Sequence, residues 1–481
     1  MTHLYQEIEA TGDEIVRALL SLDPSRAICI LDSCGNRPPD GRFLICGFNP
    51  AEIIHAFPGF SITKYKDGTA VRTDGDSFLD LLAERTAGVA EALELPVYGA
   101  FIASLNYELG YQFDRFNLSS GCVPASGPLA RFGYFPSLII HDYETGRSYV
   151  TETRGEAALV FSVDGFLDVL GEYRRRPRLN LQRSEFYNVF AVSNFSRDEY
   201  ISAVERVKDH IAAGDIYQVN LTQQFTVTLD PDVSAGDIFL ELRRQHPASF
   251  AAFIRLDDSA IISASPERFL RVNDDHAKRT IEAWPIKGTR RRGKDFAEDQ
   301  KMQTDLLQSE KDRAENVMIV DLVRNDLGRI CRFGTVNVPE LLSLQQHPTL
   351  FHLVSKVTGE LSDDVGAGDI LRATFPSGSI TGAPKIRAME IISEIESTPR
   401  SVSMGAIGYF GIDGRMDLNV SIRTISVVAG VARFHTGGGI VADSVPGVEY
   451  EESLLKAKAL FRAMKCRGIN PRVSGVTPGS V

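Results

Sequence analysis

The 481-residue chain is predicted to fold as an α+β protein. Three observations carry that prediction. Hydrophobic residues make up 43% and charged residues 24%, the balance of a globular chain with a large core rather than a disordered or fibrous one. Short apolar runs bounded by turn residues occur along the chain and read as strands. From about residue 196 to 465 such runs alternate with amphipathic helical stretches, punctuated by Gly and Pro. The length corresponds to two large domains or three smaller ones.

Residues 27–31, 43–46 and 138–141 are predicted strands, with a Pro-Pro-Asp-Gly turn over 36–41 between the first two. The basic run Arg174, Arg175, Arg176, Pro177, Arg178 reads as a solvated connection. Ser196 and Glu199 form a capping box, and Tyr200, Ile201, Val204, Val207 and Ile211 recur at the helical period until Gly214 stops it. No internal repeat stands out.

Net charge is −11, a poor setting for non-specific nucleic-acid binding, which needs basic surface to displace phosphate counterions. The six cysteines form no CxxC pair, which predicts reduced thiols rather than a disulfide framework or a zinc site. The N-terminus shows no basic stretch followed by an apolar one, and no run reaches about 18 uncharged apolar residues. Neither a signal peptide nor a membrane span is expected, and the cytoplasm is the expected compartment.

Six local patterns point to chemistry. Glu267, in Ser265-Pro-Glu-Arg-Phe269, follows an apolar strand; buried in a cleft it would serve as a general acid or base, exposed it would merely pair with an arginine. Lys287, in Pro285-Ile-Lys-Gly-Thr-Arg290 and near Trp284, becomes nucleophilic if desolvated; otherwise it lies in a basic turn. Ser309 and Asp312 form a capping-box-like pair, and Asp312 and Glu315 share one helix face. Facing inward, they suggest Mg²⁺, which takes one or two carboxylates plus substrate oxygens. Glu449 and Glu452 repeat that spacing after Pro446, with Lys456 four residues on; Glu452 either pairs with Lys456 or joins Glu315 from a second helix. Ser379-Ile-Thr-Gly-Ala-Pro-Lys385 reads as a loop feeding a helix, suited to an anion or to plain capping. Gly437-Gly-Gly-Ile-Val441 brings backbone N–H groups near a ligand or makes a hairpin turn; it is not a dinucleotide fingerprint.

The order and wording of these motifs, together with Gly214-Asp-Ile-Tyr-Gln-Val-Asn220, DLVRNDLGRI, HLVS, IGYF and IRT, resemble the chorismate-utilising enzymes. That family includes component I of anthranilate synthase and of aminodeoxychorismate synthase, and the isochorismate and salicylate synthases. The resemblance is dense over about 196–465 and much weaker over the first 190 residues. It implies two large, mainly antiparallel sheets packed as a sandwich, with helices outside and the site in the cleft. It divides the chain into an anthranilate-synthase-component-I-like region over 1–190, a chorismate-binding catalytic domain over 195–467 and a loose tail over 468–481. Ile30-Leu-Asp-Ser33 is faintly similar to a tryptophan-site motif of anthranilate synthases, and reads first as a buried strand ending at a turn.

Within the family, lysine at 287 and glutamine at 218 resemble the aminodeoxychorismate synthase branch, which aminates chorismate at C4 on the way to 4-aminobenzoate and folate. The alternatives are anthranilate synthase component I and a non-catalytic chorismate-binding subunit. By this resemblance Lys287 would attack ring C2 and Glu267 would protonate the departing C4 hydroxyl. Glu315 and Glu452 would hold Mg²⁺ on the ring carboxylate, with Asp312 and Glu449 in or beside the coordination sphere. Gly437, Gly438 and Gly439 would supply donors, with Lys456 nearby. Arg423 and Tyr409 would meet the enolpyruvyl carboxylate, and His352 and Thr381 would line the ring pocket. Ammonia would come from a separate glutamine amidotransferase subunit, since no cysteine, including that of Gly121-Cys-Val-Pro124, stands in a glutaminase elbow.

Overall fold

A computed structural model describes residues 2–35, 41–75, 78–88, 95–116, 118, 127–154, 163–175, 187, 189–274, 278–346 and 350–469. Two antiparallel sheets face each other, each of twelve strands among the described residues. The first runs from the edge strand Thr2–Ile8 through Arg147–Arg154, Ile139–Asp142, Phe43–Phe48 and Ile28–Asp32 to Phe250–Arg255 and Ser259–Ser265. It continues through Thr424–Val428, Val431–Ile440 and Gln218–Thr228 to Val192–Ser193. The second runs from Ile286–Arg291 through Leu350–Glu360, Arg279–Trp284, Arg268–Asp274, Met416–Val420 and Ala406–Gly411. It ends with Ala100–Leu105, Ala130–Phe135, Glu52–Phe57, Phe60–Tyr65 and Ala70–Asp74.

Both sheets draw on both halves of the sequence. Ile28–Asp32 pairs with Phe250–Arg255, and Ala100–Leu105 pairs with Ala406–Gly411. The segments expected as 1–190 and 195–467 are therefore interleaved in shared sheets, because backbone donors at the edge of one half are satisfied by the other. The turn expected over 36–41 lies largely outside the described residues, as does the tail beyond 469.

Each sheet is apolar on both faces. Cys29, Ile45, Ile102, Phe135, Ile254 and Ile407 fill the space between the sheets. Phe225, Phe434 and Phe461 join the outer face of the first sheet to the helix Pro446–Ala463. Ile319, Val323 and Leu327 of the helix Glu310–Gly328 cover the second. Truncating one such aromatic costs about 3–5 kcal/mol, so these contacts fix where the two helices lie.

Helix ends follow the sequence signals. Glu199 N–H donates to Ser196 Oγ at 3.3 Å and Ser196 N–H to Glu199 Oε2 at 2.7 Å, which starts the helix Arg197–Ala212. Gly214 terminates it at φ +81°, a conformation that glycine adopts without steric cost. Pro446 opens its helix at the first position, where a missing N–H is harmless.

Candidate active site

The chain crosses from the first sheet to the second at Ser265–Arg268, and this crossing carries Glu267. Ser265 Oγ donates to Val420 O at 2.6 Å and accepts from Glu267 N–H at 3.2 Å, while Val420 N–H donates to Glu267 O at 3.0 Å. The backbone is thus pinned on both sides, and the carboxyl is buried. Burial pushes its pKa up to about 7, against the opposing pull of Lys287, a Ser379 hydrogen bond and the Ile286 backbone. A carboxyl at that value is partly protonated near neutrality, as a general acid requires.

Lys287 lies within the strand Ile286–Arg291 rather than in a basic turn. Gly288 breaks the register there at φ +89°, and a Cβ on it would sit 2.9 Å from Leu306 Cδ1 and 3.0 Å from Asp312 Cβ. The missing side chain brings the strand against the start of the helix Glu310–Gly328. Lys287 Nζ donates to Ser379 O at 3.2 Å. Its pKa is lowered by burial, with Glu315 and Glu267 pulling the other way. The arginines that follow are spent: Arg290 on Asp312 at 2.8 Å, Arg291 on Glu298, and Arg292 on Asp299 at 2.7 Å.

Thr381, expected to line the ring pocket, is fully buried two residues from Ser379, which meets the catalytic pair. Thr381 Oγ1 donates to Ser377 O at 3.1 Å and Gly378 O at 3.4 Å, so it closes its own turn. Ser379 meets Glu267 with its side chain and Lys287 with its carbonyl. Both residues lie in one tetrapeptide, and only the backbone path of the short 3₁₀ turn Gly378–Ile380 decides which of them turns inward.

Four carboxylates and two lysines gather opposite. Lys311 Nζ stands 3.9 Å from Glu315 Oε1 and 3.8 Å from Glu449 Oε1. Lys456 Nζ bonds Glu452 at 2.8 Å and donates to Gly437 O at 2.9 Å. Burial raises the Glu315 pKa, helped by Asp312 and Glu449 and opposed by Lys287 and Lys311. Burial acts the same way on Glu452, but Lys456, with Lys311 and Lys287, outweighs it and holds that carboxyl below its usual range. Asp312 is engaged by Arg290, and Glu449 Oε1 accepts from Ser444 Oγ at 2.6 Å. No group of three or more His, Cys, Asp or Glu among the described residues forms a ready metal cage. The donor chemistry nevertheless fits Mg²⁺: these are hard oxygens, and burial deprives the Glu315 carboxylate of solvation that a bound cation would replace.

Gly437–Gly439 is interior to the strand Val431–Ile440, not a hairpin turn. A Cβ at 437 would lie 1.8 Å from Leu221 O. One at 438 would lie 3.3 Å from Glu449 Oε2, and one at 439 would lie 2.5 Å from Gln218 Nε2. Gln218 is fully buried, and neither amide atom has a hydrogen-bond partner among the described residues. Such a group costs a few kcal/mol unless a ligand or water meets it, about 1–3 by mutational measures. His352 is buried on the strand beside Lys287 and shares a hydrogen bond of 2.9 Å with Thr289 Oγ1.

Arg423 sits at φ +51° just after the second sheet hands back to the first. Burial lowers its pKa, and among the described residues its guanidinium has no carboxylate partner. Tyr409 does not join it. Tyr409 points into the inter-sheet core with Ile407, and its charged neighbours are Asp417, Arg271, Arg415 and Asp413. The two-residue alternation of the strand Ala406–Gly411 sends it there, three residues beyond the strand end nearest Arg423. The glutaminase-elbow question turned on Cys122, which lies outside the described residues; Cys29, Cys34, Cys46, Cys331 and Cys466 are free.

The two-sheet frame brings a buried lysine, a buried carboxyl and a carboxylate cluster together. The model of the chorismate binding enzyme family matches residues 39–462, and the chain belongs to that family. Anthranilate synthase component 1 of Bacillus subtilis (strain 168) is 44% identical over 272 residues, spanning 56% of this chain and about half, 52%, of that protein. Aminodeoxychorismate synthase component 1 of the same strain is 34% identical over 440 residues, spanning 88% of this chain and 90% of that protein. The crystal structure of anthranilate synthase component I from Streptococcus pneumoniae TIGR4 superposes with a TM-score of 0.74 at 30% identity, covering 88% of this chain and 93% of that one. No helix among the described residues is long and apolar enough to cross a membrane.

Proposed function

We propose that the chain aminates chorismate at C4 to give 4-amino-4-deoxychorismate, the precursor of 4-aminobenzoate in folate synthesis. The observation that carries this is a desolvated Lys287 hydrogen-bonded to the same serine that meets Glu267. The relatives bear names from both the anthranilate and the aminodeoxychorismate branches, so the reading rests on Lys287 and not on overall similarity.

In the proposed reaction the neutral Lys287 amine forms a bond to ring C2, the ring double bonds shift, and the C4–O bond breaks. Glu267 gives its proton to the departing hydroxyl, which leaves as water; hydroxide alone is a poor leaving group. Ammonia then adds at C4, the double bonds shift back, and the C2–N bond to Lys287 breaks. The Glu267 carboxylate takes the surplus proton of the new ammonium and is reset. Gln218, with its unpartnered amide, would orient ammonia, and Arg423 would supply a fork for a carboxylate. Glu315 and Glu452, with Asp312 and Glu449 beside them, would hold Mg²⁺, which would neutralise and orient the ring carboxylate. Ammonia would be delivered by a separate glutamine amidotransferase subunit, in the cytoplasm.

The test is product identification from chorismate, Mg²⁺ and an ammonium salt, for the wild type and Lys287→Ala. Aminodeoxychorismate from the wild type, with a loss of about 10³-fold or more in the variant, supports the lysine route. Anthranilate as the product, or a fully active variant, overturns it.

A further inference from the structure

Arg400 lies outside every motif discussed above, yet its guanidinium is buried and fully engaged. The residue is 2% exposed. Its Nε donates to Glu396 Oε2 at 2.8 Å and its Nη2 to Glu396 Oε1 at 2.7 Å, a bidentate pair. Nη1 also donates to Ile380 O at 2.7 Å, and Nη2 to Asn220 O at 2.6 Å. The guanidinium lies 4.6 Å from the centre of the Tyr107 ring. The Arg400 and Ser401 amides both donate to Glu108, at 2.7 and 3.1 Å.

The two carbonyls matter most. Ile380 stands between Ser379 and Thr381, and Asn220 is two residues from Gln218. Asn220 N–H donates to Thr381 O at 2.8 Å, and Glu396 Oε1 accepts from Thr222 N–H at 2.7 Å and from its hydroxyl at 2.9 Å. The turn that offers Ser379 to Lys287 and Glu267 is therefore tied to the strand that carries Gln218. Arg400 and Glu396 hold that junction, and Tyr107 and Glu108 anchor it to the N-terminal third of the chain.

We propose that Arg400 is a positioning residue: by clamping the Ile380 and Asn220 carbonyls it sets the place of Ser379, and through Ser379 the alignment of Lys287 with Glu267. It touches neither substrate nor reacting atoms. A salt bridge kept only for stability would need Glu396 alone, and buried pairs of that kind are often replaceable by apolar residues without loss. Two directed hydrogen bonds, one to each of two different active-site elements, are what alignment requires, since a shift of about 1 Å at reacting groups can cost 10²-fold.

The inference rests on Glu267 and Lys287 acting on chorismate, but not on which ring carbon receives nitrogen. Chorismate consumption with ammonium is followed for the wild type, Arg400→Lys, and the double variant Arg400→Met with Glu396→Leu, which refills the site without charge. Arg415→Lys, in the buried Arg415–Asp413 pair remote from the cleft, serves as the stability control. The expected result is a fall in kcat of about 10- to 100-fold in the double variant, with KM for chorismate changed far less, and partial recovery in Arg400→Lys. Loss of the Ser379 hydrogen bond, which favours the ionised Glu267, should also move the alkaline limb of the kcat profile upward; Lys287 is the charged group facing Glu267. The control should lose stability without moving that limb. A folded double variant with wild-type kcat and an unmoved limb overturns the proposal, as does an equal effect in the control. If the wild type makes anthranilate, the C4 reading fails while this comparison still stands or falls on its own numbers.

Discussion

Two charged clusters, one on each side of the Ser379 turn, are built in opposite ways. Behind the turn, Arg400 and Glu396 meet at 2.7 and 2.8 Å, and the remaining donors close on backbone carbonyls. In front of it, Lys311 stands 3.8 and 3.9 Å from two carboxylates, and Glu315 is left with its pKa raised. Nearby, Gln218 has no partner for either amide atom, and Arg423 has none for its guanidinium among the described residues. The first cluster is electrostatically closed and can only hold shape. The second carries unspent hydrogen-bonding and charge capacity, which is what a site needs in order to bind an ion or a dianionic substrate.

The contrast can be broken most severely at Glu267. Glu267→Gln should lower kcat by about 10²- to 10⁴-fold with modest change in KM. It should also stabilise the protein at alkaline pH. The carboxyl titrates at about 7 when folded, above its ordinary value of 4.5, so the folded state holds this proton more tightly than the unfolded one. The stability linked to that proton is complete below about 4.5 and is lost as pH rises through about 7. The variant should therefore exceed the wild type above neutrality by about 1–3 kcal/mol in denaturant titrations. A variant less stable than wild type at pH 8 would contradict the burial account.

The open cluster makes a finer prediction. Calorimetric titration with Mg²⁺ alone should show Glu315→Gln weakening the ion by about 10- to 100-fold, and Asp312→Asn by less, because Arg290 already holds Asp312. Equal losses, or none, would remove Glu315 from the metal site.

Within the closed cluster, burial lowers the His435 pKa to about 4, and Thr222, Gln224 and the Pro399 carbonyl surround its ring. A lowered imidazole makes stability fall as pH drops from about 6.5 towards 4, by about 1–3 kcal/mol, and His435→Gln should flatten that slope. An unchanged slope would exonerate His435. The smallest effect is expected at Tyr409: Tyr409→Phe should leave KM for chorismate within a factor of about two, because the ring faces the inter-sheet core. A tenfold rise would return it to the site.

Most of the local structure was legible beforehand. The capping box at Ser196 and Glu199, the stop at Gly214, and the strands around 28–32, 43–48 and 139–142 stand where propensity and periodicity put them. The spacing of Asp312 with Glu315 and of Glu449 with Glu452 placed each pair on one helix face. The two-sheet sandwich was legible only through the order of motifs. One site placement failed, because facing is not encoded in a short motif. Tyr409 alternates into the core; the glycines run on as strand where a hairpin was the other possibility, and Ser379 beside Thr381 faces Glu267. Arg400 carried only the i,i+4 spacing to Glu396, since its carbonyl partners at 220 and 380 become neighbours only after folding.

Sequence by itself determined which residues could do chemistry here: a lysine beside a glycine, a carboxyl after a strand, and carboxylate pairs at helical spacing. These are short-range properties, set by side-chain chemistry and by the 3.6- and 2-residue periods. Tertiary structure alone decided that Lys287 and Glu267 share one serine, that among the described residues Arg423 has no carboxylate partner and the Gln218 amide no hydrogen bond, and that the N-terminal third anchors the catalytic turn. Burial and charge at those positions are summed over segments hundreds of residues apart, and no local window contains that sum.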